Sequence, residues 1–179
     1  MNKMFSTKRI AFMGIAAALA VVLIYLTRFP APPPFTFLEY TAGDVPIYLC
    51  TFLFGLLPGM VVNFVAAIIQ GITVSAGSGW IGILGNLFST GVFVIVSGLI
   101  YRKGNSFKRL LCASGIGFVS VIVAMIGWNL IFTPIFMGID IAGVILSLPA
   151  IILFNVIKVS INAAVSVVIY KSVGRFIKA

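Results

Sequence analysis

Asn155, Lys158 and Asn162 are the residues of this sequence best suited to chemistry. Their spacing of three and four puts them on one face of a helix. They lie inside an apolar run over 145–169, and Lys158 is its only charge. An ammonium near a bilayer midplane is costly, and such residues face a protein interior with a partner or a task. The task open to this stripe is ligand recognition. Amides donate and accept, and an ammonium meets a carboxylate, or a carbonyl and hydroxyls. The competing role for Lys158 is a structural ion pair, but all three acids fall outside its depth. Asp44 reaches it only if the second segment dips inward.

The surrounding chain is built for a membrane. It is 61% hydrophobic and 8% charged, with a mean hydropathy of +1.24. Soluble domains carry about 25% charged residues. Long unbroken apolar runs specify helices rather than a barrel, so the expected fold is an all-α integral membrane protein in a single domain. Sixteen Phe and eighteen Gly suit that class. The runs divide into about six membrane segments, near 9–27, 44–57, 59–75, 80–101, 109–136 and 144–172. The residues between the first two, 28–43, form an external loop. Within it, Arg28-Phe29-Pro30-Ala31-Pro32-Pro33-Pro34 is a stiff polyproline stretch, followed by amphipathic Phe35–Tyr40. The second segment is short for a full span, and Leu57-Pro58-Gly59 breaks it. Ser75-Ala76-Gly77-Ser78-Gly79 reads as a flexible turn. The N-terminal run also resembles a signal peptide. Its length, and Arg28-Phe29-Pro30 in place of a cleavage site, favour a retained first helix.

Charge sets the orientation. Lys3, Lys8, Arg9, Arg102, Lys103, Lys108, Arg109, Lys171, Arg175 and Lys178 fall on one side, ten of the twelve basic residues. Glu39, Asp44 and Asp140 fall on the other. The positive-inside rule then puts both termini in the cytoplasm and the protein in the cell membrane. The net charge of +9 is therefore an orientation signal, and no nucleic-acid partner is expected. With no histidine and two cysteines, a metal site is not expected. Cys50 and Cys112 read as buried small apolar residues. There is no P-loop, catalytic triad or carboxylate pair, so neither an enzyme nor a cofactor is implied.

At ~1.5 Å per residue from the outer end, Asn155 lies about 15 Å deep, Lys158 about 20 Å and Asn129 about 10 Å. Asn86 has a similar depth, and Gln70 sits near the outer end of the third segment. Asn155, Asn129, Asn86 and Gln70 thus come from four helices to surround a polar cavity above Lys158. The alternative is that these amides join helices by hydrogen bonds; Asn63, at the inner end, and the deeper Asn162 are assigned that role. Trp80, Trp128, Phe132 and Tyr40 suit a planar ring, and Glu39 and Asp44, on the same outer side, are further candidate ligand contacts. The loop carrying Phe37, Glu39 and Tyr40 reads as a lid, the alternative being a segment resting among headgroups. On the first helix, Ala11, Gly14 and Ala18 share one face with Ala16, Ala17 and Ala20 beside it, a pattern that permits close helix approach.

Leu38-Glu39-Tyr40, Asp44-Val45-Pro46, Phe54-Gly55 with Gly59, Gly98-Leu99-Ile100-Tyr101, Asn129 with Pro134, and Phe154-Asn155-Val156-Ile157-Lys158 follow one another over nearly the whole length. In this order the chain resembles the substrate-binding S components of energy-coupling factor (ECF) vitamin transporters, most of all the riboflavin-binding members. The resemblance implies six helices, an outward-facing site with the first loop as lid, and Asn155 and Lys158 as a binding pair. It also implies docking of the Gly14 and Ala18 face onto a membrane coupling subunit driven by two ATPase subunits. Delivery would proceed by toppling of the S component in the membrane. The chain departs from the riboflavin pattern at Thr41, where an acid often follows the tyrosine. Ala66 and Ala67 stand where a lysine and a polar neighbour are common. Pantothenate, a pyrimidine thiamin precursor and pyridoxine therefore stay open as ligands beside a flavin, as does a structural subunit without a ligand.

Overall fold

The computed structural model describes residues 7–33, 35, 38–73, 79–104 and 106–177. The helices are α1 Thr7–Thr27, α2 Asp44–Phe54, α3 Leu56–Ile72, α4 Gly79–Tyr101, α5 Phe107–Met137 and α6 Ile141–Ile177. Stretches within α1, α4, α5 and α6 are long and apolar enough to cross a membrane, whereas α2 and α3 are shorter. The outward faces of the long helices agree. Ile131, Ile135, Leu146, Leu153 and Val168 are all at least 60% exposed, an apolar surface that suits lipid. Cys112 joins this exposed surface, contrary to the expectation of burial, and only Cys50 is buried.

The short α2 is the axle of the bundle. It packs on α1, α3, α4 and α6, and its residues are buried almost all round, as expected of a helix apolar on every face. Tyr48 stacks on Phe93 of α4, with ring centroids 3.8 Å apart. Phe52 meets Phe93, Tyr101 and Tyr170 edge-on. These side chains tie α2, α4 and α6 together. On α1, Met13, Ala16, Ala17 and Ala20 are buried, the small side chains allowing α1 to approach α2 and α3.

The break after α2 falls at Gly55 rather than at Leu57-Pro58-Gly59. Gly55 has φ +100°, a conformation open to glycine and strained for other residues. Pro58 lies in the first turn of α3, where its missing N–H costs no helical hydrogen bond. Pro134 and Pro149 sit inside α5 and α6. Of the turn expected at 75–79, residues 75–78 lie outside the described residues, and Gly79 already begins α4.

The loop between α1 and α2 is more ordered than a plain polyproline stretch. Two short strands, β1 Phe29–Pro30 and β2 Glu39–Tyr40, pair antiparallel with Phe29 opposite Tyr40. Ala31 N–H donates to Leu38 O at 2.8 Å. Arg28 closes the ladder on Glu39 through Nε to Oε2 at 2.7 Å and Nη2 to Oε1 at 2.5 Å. Glu39 holds the Arg28 guanidinium above its usual pKa, chiefly by this hydrogen bond. Ala42 N–H donates to Thr27 Oγ1 at 2.8 Å, fastening the loop's far end to α1. Gly43 makes this approach possible, because a Cβ there would collide with the Ile24 side chain.

Candidate ligand-binding site

The polar residues of α3, α4 and α6 converge on one hydrogen-bonded chain. Lys158 Nζ donates to Asn86 Oδ1 at 2.7 Å. Asn86 Nδ2 donates to Gln70 Oε1 at 3.1 Å. Lys158 is 7% exposed and Gln70 5%. Each helix thus supplies one member from its inward face, and each donor meets an acceptor, as buried polar groups require.

The chain continues into α2, and here an expectation fails. Asp44 does reach Lys158: its Oδ2 lies 3.9 Å from Nζ, and the residue is 2% exposed. It opens α2 inside the protein, where the positive end of the helix dipole favours a carboxylate. Thr90 Oγ1 donates to Asp44 Oδ1 at 2.7 Å, and Asn162 Nδ2 donates to Oδ2 at 3.1 Å. The carboxylate is therefore satisfied by a hydroxyl, an amide and a nearby ammonium.

Asn162 then links this cluster to the loop between α1 and α2. It is fully buried. Its Nδ2 also donates to Thr41 O at 2.9 Å, and its Oδ1 accepts from Tyr40 Oη at 3.2 Å. Burial, and then the charge of Asp44, raise the Tyr40 phenol above its ordinary pKa. Asn162 does join elements, as expected, but the elements are α6, α2 and the strand β2. One polar path runs from Gln70 through Asn86, Lys158, Asp44 and Asn162 to Tyr40.

Other site residues stand apart from this path. Asn155 Nδ2 donates to Ile151 O of its own helix at 2.8 Å. Asn129 does the same to Met125 O at 2.7 Å, and its Oδ1 accepts from Thr133 Oγ1. Asn63 Nδ2 bonds Leu87 O, joining α3 to α4. Trp128 lies between Phe88 and Phe132, stacked at 5.0 Å and 4.0 Å. It approaches the α4 backbone at Gly85, where an added Cβ would meet the indole Nε1 at 3.0 Å. Glu39 is engaged by Arg28. Trp80 lies on α4, but its side chain and all of Phe37 fall outside the described residues. Ala11, Gly14 and Ala18 are exposed on α1, and a Cβ at Gly14 would meet nothing within 4 Å.

Sequence reasoning missed Thr90 and Arg28. Thr90 lies one turn beyond Asn86 on α4, so it shared that residue's face. Arg28 was the basic residue stranded among the acids. Across the described residues no group of His, Cys, Asp and Glu could hold a metal ion. What the arrangement offers chemically is a buried row of donors and acceptors, the group types by which a polar ligand is oriented.

Known proteins share this fold and sequence pattern. The family described as "ECF transporter, substrate-specific component" matches residues 8–170. A Staphylococcus aureus (strain TCH60) protein named riboflavin transporter RibU is 26% identical over 98% of this chain and 95% of its own length. A Lactococcus lactis subsp. cremoris (strain NZ9000) protein of the same name is 23% identical over 72% of this chain, and the match spans 64% of that relative. Riboflavin transporter FmnP of Bacillus subtilis (strain 168) is 24% identical over 66% of the chain and 62% of its own. A solved structure described as "Structure and mechanism of the S component of a bacterial ECF transporter" superposes with a TM-score of 0.82 at 25% identity, covering 96% of this chain and 98% of the other. With the family pattern running over nearly its whole length, the chain belongs to the substrate-specific components of ECF transporters.

Proposed function

We propose that this protein captures riboflavin, or a close flavin, from outside the cell and passes it inward when docked on an ATP-driven coupling module. The observation that carries the reading is the polar path from Gln70 to Tyr40. It joins an interior row of ligand-type groups to the lid that would cover them. The flavin assignment draws on the names of relatives from three bacterial genera, and on the Phe88–Trp128–Phe132 stack, whose rings suit a planar heterocycle. In this reading Lys158, Asn86, Gln70, Asn129, Asn155, Tyr40, Trp128 and Trp80 line the ligand site, and Asp44 and Glu39 hold it in shape.

The remaining features fit one arrangement. All six helices lie in the cell membrane, α2 sheltered by its neighbours and α3 turning Leu57, Phe64 and Ile72 outward, with both termini in the cytoplasm as the charge distribution directs. Ala11, Gly14 and Ala18 face the membrane coupling subunit, which works with two ATPase subunits. Reorientation of the whole bundle then brings the ligand to the inner side. Purification in detergent tests the flavin reading directly. The protein should be yellow, with flavin absorbance released on denaturation. Colourless protein that gains no thermal stability from riboflavin would refute it.

A further inference from the structure

Four charged side chains gather between the lid and the centre of the bundle, and they are matched one to one. Arg28 is held by Glu39 through two hydrogen bonds. Lys158 lies 3.9 Å from Asp44, with side chains only 8% and 3% exposed. The remaining acid, Asp140, is exposed at the start of α6 and caps Gly143 N–H. The interior around Lys158 is thus polar but close to zero in net charge.

Charge balance constrains what can enter. A carboxylate or phosphate brought beside Lys158 also meets Asp44, whose repulsion offsets the attraction of the ammonium. Such an anion surrenders its hydration on entry and receives no uncompensated cation in return. A carbonyl or hydroxyl loses far less hydration, and Lys158 has further N–H donors to offer it beyond the one given to Asn86.

We propose that Asp44 is a specificity-determining residue: by matching Lys158 it makes the site select an uncharged vitamin and reject anionic ones, both carboxylates and phosphate esters. This rests on the reading of the Lys158 path as ligand-facing. It goes beyond that reading by resolving what Lys158 meets, a carbonyl or hydroxyl and not an acid. Asp44 acts through Lys158, as a positioning residue for its charge.

The test compares riboflavin with flavin mononucleotide, which adds a phosphate of roughly −1.5 to −2 charge at neutral pH. Fluorescence titration of purified wild-type protein should show flavin mononucleotide binding about tenfold or more weaker than riboflavin. Asp44→Asn leaves Lys158 uncompensated and should shrink that ratio by about tenfold, through a gain for the phosphate ester. The double variant Asp44→Asn/Lys158→Gln is charge-matched again and should return the wild-type ratio, whatever its absolute affinity. Equal wild-type affinity for the two flavins, or a ratio unmoved by Asp44→Asn, overturns the proposal while leaving the flavin reading intact. If Asp44→Asn does not fold, the wild-type ratio and the double variant decide, and tight flavin mononucleotide binding by the double variant overturns it. If the wild type binds no flavin, the flavin reading falls and calorimetry with pyridoxine and pantothenate decides the charge rule. Binding of uncharged pyridoxine supports it; binding of the carboxylate pantothenate, or of neither, overturns it.

Discussion

An ammonium buried among apolar side chains keeps its charge only if neighbouring groups replace its water. For Lys158 those groups are Asn86 and Asp44. Removing the lysine therefore has two effects. Lys158→Ala deletes a donor proposed to meet the ligand, and it leaves the Asp44 carboxylate buried without its cation. Breaking one partner of a buried pair costs roughly 3–5 kcal/mol, softened here by the hydrogen bonds from Thr90 and Asn162. Lys158→Ala should thus lower both riboflavin affinity and the melting temperature in detergent. Unchanged affinity would remove Lys158 from the ligand site. At this scale the sequence was legible where a residue's cost is intrinsic: a lysine in an apolar run must have a purpose. It was not legible where the partner depends on packing. Asp44 read as an outer acid because sequence order places it beside the lid, and its depth is set by how α2 seats among its neighbours. Asn129 and Asn155 show the same gap. Each bonds a carbonyl of its own helix, an option open to any helical asparagine that spacing cannot exclude.

Elements join these residues across the fold. The lid's second strand meets α6 through Tyr40 and Asn162. Burial, and then Asp44, raise the Tyr40 phenol above 10.0, so the protonated form is favoured in the folded state. Its contribution is complete below the ordinary tyrosine value and is lost as pH rises through the folded one. Tyr40→Phe removes that hydrogen bond, and riboflavin dissociation at neutral pH should quicken roughly 2- to 10-fold. Stopped-flow measurements from about pH 8 to 11 should show dissociation accelerating in the wild type and a flatter profile in the variant. A variant with the wild-type profile would remove Tyr40 from the lid's fastening. Gly55 makes a separate point about elements. Its φ of +100° and ψ of −177° suit glycine alone, and no side chain lies within 4 Å of an added Cβ. Gly55→Ala should therefore cost about 1–3 kcal/mol from backbone strain alone, read as a lower melting temperature; no change would show that the α2–α3 turn relaxes freely. The sequence holds three breakers within five residues, Gly55, Pro58 and Gly59, and proline drew the boundary toward itself. Proline is compatible with a helix's first turn, so the glycine decides.

For the whole molecule, the long apolar runs and their order carried the architecture, because membrane helices are set by continuous hydrophobicity rather than by subtle patterning. What the runs did not convey is that α2 is a central, almost wholly buried helix. Docking also belongs at this scale. Gly14 is exposed, and an added Cβ there would meet nothing within 4 Å, so Gly14→Leu should leave riboflavin affinity and melting temperature within error of wild type. In cells that supply the coupling module, the same variant should abolish uptake of labelled riboflavin. Normal uptake would move the docking face elsewhere.

The matched pair at the centre also bears on energetics in an electric field. Under the proposed reorientation, everything in the site is carried through part of the membrane potential. One unbalanced elementary charge moved across 100 mV changes the energy by about 2.3 kcal/mol, which would make each step in one direction easier and its return harder. Lys158 and Asp44 travel together, as do Arg28 and Glu39, and an uncharged vitamin adds nothing to the sum. The loaded and empty carriers then experience nearly the same field. Binding the vitamin then adds no voltage dependence of its own to import.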